Sequence, residues 1–341
     1  MRKLLLISIG FVLAVLLSGC DVYVWPERES GDALSFSASQ GALTRATSPV
    51  QPDASDYLIS PGREIAVFGT ITRSGKDDYT LFNKQVVTCG QDLEWTYAPL
   101  KYWKRSGVYD FKAVCPYGTI TLAGTSGKRL LVNHSITANH LDLLVASAQR
   151  DAATGNTSPV NLRFRHACAA VRFLFKKGSD DYDYSLSSFR LENLRIVGTL
   201  DMTADTVTFE NWHTSGMASA TEVFAWSAAT AADRKDIPVS YDAYTGAQWY
   251  YMIPQTMTVP AGTARPSVTF SVIFNGEPTP VTTTLPLPAS YTEGGQTVEA
   301  RWEPGRVYTY YINLRPSTVA ITVHVTPWDE ETLVVDDIIF D

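Results

Sequence analysis

The chain has 341 residues, of which 18% are charged and 45% are hydrophobic, and its formal net charge is -7. This acidic balance leaves no basic surface for nucleic acid, so no nucleic-acid partner is expected. The 8 Trp, 17 Tyr and 14 Phe residues can form a sizeable core. Because one core rarely grows beyond about 250 to 300 residues, two domains are predicted.

Residues 1–20 have the features of a lipoprotein signal peptide. Arg2 and Lys3 precede an apolar run at 4–17 that is short for a membrane span, and Ser18 and Gly19 lead into Cys20. The pattern predicts that the Cys20 thiol receives a diacylglyceryl group, and two or more acyl chains anchor a protein stably. A plain secretory signal with a coincidental cysteine is the alternative. No later segment has the apolar length of a membrane span, so the remainder is expected to be a globular body on a lipid tether.

A short strand is predicted just before an accessible arginine. Leu34, Phe36 and Ala38 form one face of this strand, and serines fill the positions between them. Arg45 and Ala46 follow in a loop-like stretch, where a trypsin-like protease can reach the chain. The alternative is an ordinary first strand followed by an ordinary loop.

The rest of the chain alternates apolar and polar residues with a period of two. The segments 268–274, 308–314 and 319–325 show the alternation most clearly. Such a pattern places one apolar row on one face of a β-sheet. Turn signals such as Ser60-Pro61-Gly62 and Glu303-Pro304-Gly305 lie between the segments. An all-β fold of short antiparallel strands in sandwiches is predicted, with a weak alanine-rich helical piece at 218–232 as the exception.

A domain boundary is predicted near residues 151–160. The stretch from Asp151 to Pro159 is small, polar and rich in residues that break regular structure. Two new strands, at 160–164 and 170–175, follow it. The predicted domains are therefore an N-terminal β-sandwich at 46–158 and a C-terminal β-sandwich at 159–341.

Three cysteines remain after lipidation of Cys20: Cys89, Cys115 and Cys168. An odd number cannot all pair within the chain, and none of them has the spacing of a metal site. They are predicted to be buried free thiols on strands, where cysteine behaves as a small hydrophobic residue. Neither a metal nor another cofactor is expected.

No catalytic residues are predicted. The five histidines lie far apart in the sequence, and no nucleophile, zinc-protease or phosphate-binding motif is present. His166 falls on a strand and is interpreted as a hydrogen-bonded packing residue.

The C-terminal tail after Trp328 is too apolar for a solvated segment. Its apolar residues are Leu333, Val335, Ile338, Ile339 and Phe340. One interpretation is a final strand of the chain's own sheet. The other is a donor strand that completes a neighbouring subunit, where main-chain hydrogen bonds supply affinity. An exposed apolar strand needs a partner in either case.

Seven short motifs together support a family resemblance. They are Trp95 to Trp103, Tyr109 to Tyr117, Leu141 to Ala146, Leu162 to Phe173, Tyr251 to Gln255, Trp302 to Tyr310 and Val325 to Trp328. In order and spacing they resemble the fimbrillin family, whose members build the type V pili of anaerobic gut and oral bacteria. The chain is most similar to a major-fimbrillin-like lipoprotein precursor. The resemblance implies two tandem transthyretin-like β-sandwich domains.

The resemblance also implies a processing route. In this family the precursor travels as a lipoprotein to the outer membrane, and an arginine-specific protease cuts after a residue that matches Arg45. Residues 21–45 are then a propeptide that contains a removable strand with Leu34, Phe36 and Ala38. Its loss opens a groove, and a segment of the next subunit fills that groove.

The implied function is that of a structural subunit, shaft or tip, of a cell-surface fimbrium that serves adhesion. The expected partners are other pilus subunits in a head-to-tail polymer, the arginine-specific protease, and the outer membrane through the lipid before processing. A contact between opposite ends of two subunits does not close on itself, so it propagates as a fibre. The identity of any host or bacterial surface ligand is left open.

Two other assignments remain. An anchor subunit keeps its lipid and stays uncut, and the Arg45–Ala46 junction argues against it, whereas tip and shaft are undecided. A lipid-anchored carbohydrate-binding protein of a nutrient-uptake system is suggested by Trp95, Trp103, Trp212 and Trp249, because aromatic rings can stack on sugars.

Overall fold

Almost all the regular structure of the chain is β-strand. The computed structural model describes residues 29–40, 60–117, 121–126, 129–136, 142–155, 159–179, 181–202, 207–214, 219–241, 249–275, 277, 279–315 and 318–327. Complete 3-10 turns lie at Ala152–Thr154, Phe209–Asn211 and Ala231–Asp233, and no α-helix occurs within these ranges. None of the described residues forms a helix with the length and hydrophobicity that a membrane crossing requires. The predicted all-β class is confirmed.

The strands are numbered here in chain order. Those of the N-terminal half are β1 (Glu29–Ala33), β2 (Phe36–Gln40), β3 (Glu64–Thr72), β4 (Tyr79–Cys89), β5 (Trp95–Thr96), β6 (Tyr102–Lys104), β7 (Val108–Cys115), β8 (Thr121–Ser126), β9 (Arg129–Ser135), β10 (Leu144–Asp151) and β11 (Val160–His166). Those of the C-terminal half are β12 (Ala169–Lys177), β13 (Tyr184–Glu192), β14 (Leu194–Arg195), β15 (Val197–Asp201), β16 (Trp212–His213), β17 (Ser219–Ala220), β18 (Val223–Ser227), β19 (Lys235–Asp236), β20 (Tyr250–Met252), β21 (Gln255–Thr256), β22 (Ser267–Phe274), β23 (Val281–Pro286), β24 (Ser290–Glu293), β25 (Gln296–Glu299), β26 (Arg301–Trp302), β27 (Arg306–Arg315) and β28 (Thr318–Pro327).

The N-terminal half forms a closed barrel with the strand order β10-β11-β2-β5-β4-β3-β7. Successive side chains of a strand point to opposite faces, so every second residue enters the barrel. The interior is accordingly filled by alternate residues such as Ile65, Val67, Phe82, Phe111, Leu144, Leu162 and Phe164. Closure of the sheet leaves the barrel without a free edge.

The C-terminal half contains a β-sandwich. One sheet has the order β20-β12-β27-β28, and the other has the order β18-β13-β22-β23, with β19 also paired to β13. Aromatic rings join the two sheets: the ring centroids of Phe173 and Phe189 are 5.3 Å apart, and those of Phe175 and Phe270 are 5.1 Å apart. The alternation predicted for 268–274 and 308–314 therefore corresponds to strands that face a common core.

Two strand pairs depart from the predicted antiparallel arrangement. β2 runs parallel to β11, and β12 runs parallel to β27. Parallel neighbours require a long connection between them, and here it consists of most of the barrel in one case and most of the sandwich in the other. A local sequence pattern does not reveal such a pairing, so the antiparallel expectation was wrong for these strands.

Strands pair across the predicted division at residues 158/159. β11, which follows that point, belongs to the barrel, and β9, which precedes it, pairs with β15 in a sheet of order β16-β15-β9-β8. On the outside of the barrel, Phe68 and Val114 pack in the same core as Leu130 and Leu200. The division into domains 46–158 and 159–341 stays a prediction about which parts fold independently.

The alanine-rich piece at 218–232 is not an α-helix in its described part. It contains β17, β18 and a single 3-10 turn. Val223 pairs with Leu191 and Trp226 with Phe189, both on β13. Pairing with the sandwich overrides the helical tendency of the alanines.

The three remaining cysteines are free and buried, as predicted, but only Cys89 and Cys115 lie on strands, whereas Cys168 lies between β11 and β12. Burial is the main cause that raises the pKa of the Cys115 thiol to about 12. Burial also raises the pKa of Cys168, and the nearby Asp142 carboxylate adds to this effect. Both thiols therefore stay protonated at neutral pH and are poor nucleophiles.

A buried acid–base pair lies where β11 leaves the barrel. His166 Nδ1 is 2.5 Å from Asp142 Oδ2, and both residues are 6% exposed. The histidine is thus a hydrogen-bonded packing residue, as predicted, although its partner was not identified from the sequence. Because both groups are buried, removal of either one leaves the other without its partner and destabilises the fold.

Replacement of His166 by Ala is expected to lower the free energy of unfolding by about 3 to 5 kcal/mol, because Asp142 then stays buried without its partner. Urea unfolding followed by tryptophan fluorescence measures the change. The double variant Asp142→Leu/His166→Phe removes both polar groups and should recover most of the loss. A loss below about 1 kcal/mol, typical of an exposed pair, would contradict a structural role.

Candidate functional site: the groove that holds the first strand

The segment made of β1 and β2, called the first strand here, crosses from the barrel exterior into the barrel wall. β1 pairs with β6 outside the seven barrel strands, with Glu29 opposite Lys104 and Ala33 opposite Tyr102. β2 then runs between β11 and β5. The space between β11 and β5 is called the first-strand groove below.

Two side chains of this segment enter the barrel core. Leu34 is 1% exposed and Phe36 is 5% exposed, and both belong to the interior cluster. The Phe36 ring lies 5.6 Å from Phe82 and 5.7 Å from both Tyr97 and Phe111, measured between centroids. Burial of each such side chain contributes roughly 1.5 to 3 kcal/mol, so the strand is an integral part of the core.

Main-chain hydrogen bonds hold the bend between β1 and β2. The Leu34 amide donates to the Lys101 carbonyl at 2.8 Å, and the Val160 amide donates to the Ser35 carbonyl at 2.8 Å. The Tyr97 hydroxyl donates to the Leu34 carbonyl at 2.8 Å and accepts from the Lys101 amide at 3.2 Å. Burial raises the pKa of Tyr97, which keeps this hydroxyl protonated as a donor.

The two edges of β2 are held unequally. On one edge β2 pairs with β11 from Phe36 opposite Val160 to Gln40 opposite Phe164. On the other edge it pairs with β5 only at Phe36 opposite Trp95. Without this segment, β11 has a free edge beside an apolar hole lined by Phe82, Tyr97 and Phe111. Such a hole can accept a strand that offers main-chain hydrogen bonds and a large apolar residue.

Of the predicted site residues, Leu34 and Phe36 are buried in the first-strand groove. Ala38 is half-buried and packs against the same core. The predicted lipidation site Cys20, the predicted cut between Arg45 and Ala46, and the tail residues lie outside the described residues. Those tail residues are Leu333, Val335, Ile338, Ile339 and Phe340.

Tyr97 was missed as a site residue. Its contribution depends on a bend that places Leu34 beside it, and the two residues are 63 positions apart in the chain. Its place in the motif from Trp95 to Trp103 was the only signal available in the sequence.

A sheet edge near the chain end forms a second feature. Among the described residues β28 pairs only with β27, over the whole span from Thr318 to Pro327. Its inward side chains, Val319, Ile321, Val323 and Val325, pack on the sandwich core but are only half-buried. The apolar tail begins directly after this strand.

The four tryptophans considered for sugar stacking do not form an exposed platform. Trp95, Trp103 and Trp212 are buried, and the Arg172 guanidinium covers the Trp249 ring at 4.5 Å from its centroid. The described residues do not bring together three or more His, Cys, Asp or Glu residues that could hold a metal ion. The main feature of the described geometry is therefore a barrel that is completed by β2.

The sequence profile of the fimbrillin-like family matches residues 44–328, and the chain belongs to this family. The resemblance inferred from the motifs is thereby confirmed. No curated protein sequence matches the chain.

Solved structures share the fold. The chain is similar to a fimbrial protein from Bacteroides vulgatus, with 15% identity, a TM-score of 0.59, and coverage of 87% of this chain and 99% of that one. It is also similar to a candidate cell adhesion protein from Bacteroides uniformis, with 16% identity, a TM-score of 0.53, and coverage of 88% and 100%. A third, from Bacteroides ovatus, has 16% identity, a TM-score of 0.52, and coverage of 90% and 99%. Membership of the fimbrillin-like family confirms a structural protein rather than an enzyme.

Replacement of Phe36 by Ala in the uncut precursor is expected to lower the free energy of unfolding by about 3 to 5 kcal/mol, because it empties the space among three aromatic rings. The matched control is Ser37→Ala, which changes an exposed residue of the same strand and should stay within about 0.5 kcal/mol of wild type. Urea unfolding measures both. Equal, small effects would show that the strand is not part of the folded core.

Proposed function

We propose that this chain is a subunit of a cell-surface fimbrium and that subunits join by strand exchange at the first-strand groove. The observation that carries this proposal is that β2 completes the barrel and is the first of its seven strands along the chain. One cut between β2 and β3 therefore separates the strand covalently from everything else in the barrel. No other peptide bond has to be cut to free β2 from the barrel.

The covalent separation changes the competition for the groove. Before the cut, the strand is held at a high effective concentration by its own chain, so a foreign strand cannot compete. After the cut, the strand is a separate peptide and can dissociate, because only non-covalent contacts hold it. A donor strand from another subunit then closes the barrel again and removes its free edge. Donor and acceptor lie in different parts of the subunit, so the contact is head-to-tail and propagates.

The apolar tail is the candidate donor. Leu333 and Val335 are two residues apart, as are Ile338 and Phe340, and Ile339 lies between the latter two. Leu34 and Phe36 have the same spacing in the strand to be replaced. A strand with this spacing places two apolar side chains on one face.

Export and processing complete the proposal. The Cys20 lipid carries the precursor to the outer membrane, and an arginine-specific protease cuts between Arg45 and Ala46. The propeptide at 21–45 leaves with its lipid, and the freed subunit enters the fimbrium as a shaft or tip subunit that serves adhesion. The match to the family begins at residue 44, two residues before Ala46, which supports a mature chain that starts near this point. The tandem transthyretin-like architecture, with domains at 46–158 and 159–341, belongs to the same proposal.

Treatment of the purified precursor with an arginine-specific protease is expected to release a small N-terminal piece and to produce ladders of oligomers. Arg45→Ala should stay intact and monomeric, because no cut frees the strand. Electrophoresis and size-exclusion chromatography follow both. The control is Arg73→Ala, which removes an arginine in another turn and should behave as wild type. Polymerisation of Arg45→Ala at the wild-type rate would refute the processing step.

A disulfide across β2 and β11 tests the exchange step separately from the cut. Ser37 lies opposite Asn161 in the parallel register and both are exposed, so the variant Ser37→Cys/Asn161→Cys brings two thiols to the spacing of paired strands. When oxidised, this variant should be cut after Arg45 and yet remain monomeric, because its strand cannot leave.

Reduction of the same cut sample is the matched control and should start polymerisation. The buried native cysteines do not compete for the new bond. Growth of oligomers from the oxidised, cut variant would show that strand release is not required.

A further inference from the structure

A polar cleft opens on the outside of the barrel, away from the first-strand groove. Its volume is about 170 Å³, and β3, β4 and β7 form one wall while the start of β9 forms the other. Its polar lining consists of Thr70, Thr80, Asn83, Asp110, Lys112 and Arg129. The cleft lies at the junction between the barrel and the sheet of β9 and β15, the kind of place where small-molecule sites commonly occur.

The cleft exists because, along β3, the outer surface of the barrel moves away from the sheet that contains β9. Phe68 still packs in the core shared with Leu130, whereas Thr70, two residues further along the same face, borders the open cleft. Register shifts on both sides of Gly69 interrupt the ladder between β3 and β4 at this point. β-Bulges of this kind often lie beside functional sites, because they redirect neighbouring side chains.

Two buried polar groups in the cleft lack good partners. Lys112 is 4% exposed, and its Nζ atom lies 3.5 Å from Asp110 Oδ1, well beyond the ~2.7 to 2.9 Å of a charge-assisted hydrogen bond. Among the described residues, no atom hydrogen-bonds with the buried Thr70 Oγ1. Buried donors and acceptors left in this way are stabilised by any ligand that pairs with them.

The charges of the cleft are balanced. Arg129 donates to Asp201 Oδ2 from Nε at 2.9 Å and approaches it from Nη2 at 2.8 Å, and Lys112 faces Asp110. An anion would compete with these carboxylates, and a cation would compete with the two basic groups. A hydroxyl group both donates and accepts, so it can bond to Lys112 and to Asp110 at once.

The size and the apolar surface of the cleft further restrict which ligands it can bind. The volume of about 170 Å³ is below the ~300 to 1,000 Å³ of pockets for drug-sized molecules, and it suits a ligand no larger than one sugar ring. Phe68, which is 8% exposed, adds a small apolar surface, against which the carbon face of a sugar can pack.

We propose that this cleft binds a single uncharged hexose ring, such as the terminal residue of a surface glycan. The polar groups of the site all lie outside the first-strand groove, and the site is present before any cut. It therefore does not depend on strand exchange, and the uncut precursor is the correct material for its test.

The test is saturation-transfer difference NMR of the purified precursor with the methyl pyranosides of glucose, galactose and mannose, and with methyl glucuronide as the charged arm. At least one neutral glycoside should receive saturation from the protein, and the effect should rise to a plateau as the concentration of that glycoside increases. Thr80→Tyr, which fills the cleft from an exposed position, should weaken binding at least tenfold, and so should Lys112→Met, which removes the buried donor.

Two controls guard against effects on folding. Thr292→Tyr and Lys235→Met make the same changes at exposed positions on β24 and β19 and should bind as wild type. Unchanged thermal unfolding of Thr80→Tyr shows that its loss of binding is local. The proposal is overturned if no neutral glycoside binds, if only the glucuronide binds, or if Thr80→Tyr binds as well as wild type.

Discussion

The pairing of β2 with β11 is the constraint on which the barrel depends. It closes a sheet that otherwise ends at two free edges, β11 and β5, and it places Phe36 among three aromatic rings. Because the two strands are parallel, the chain traverses the rest of the barrel before it returns to pair with its own beginning. β2, the first barrel strand along the chain, is thus held by β11, the last one, and the two stabilise each other.

This arrangement combines a large local stabilisation with a single point of release. A typical domain has a net stability of about 5 to 15 kcal/mol, so the burial of Leu34 and Phe36 is a substantial part of the total. Yet the strand has only one covalent connection to β3. A protein that must stay monomeric during export and assemble later needs both properties, because a barrel edge exposed too early is a site of uncontrolled association.

Strands β4 and β7 contribute to both features on opposite faces. Towards the interior they supply Phe82 and Phe111 to the first-strand groove, and towards the exterior they supply Thr80, Asn83, Asp110 and Lys112 to the polar cleft. The alternation of side chains along a strand is what permits this separation. In the proposed strand exchange, the polar residues of the cleft stay in place, so every copy in a fibre would present them.

The sequence by itself determined the all-β class, the family, the buried free thiols, and the strand whose apolar face contains Leu34 and Phe36. These features depend on local alternation and short motifs, so they can be inferred without knowing which strands pair with each other. The tertiary structure decided which strands lie side by side: the parallel partner of β2, the hydrogen bond from Tyr97, the contact of His166 with Asp142, and the cleft between β3 and β9. A period of two indicates which face of a strand is buried, but it contains no information about which distant strand covers that face or in which direction it runs.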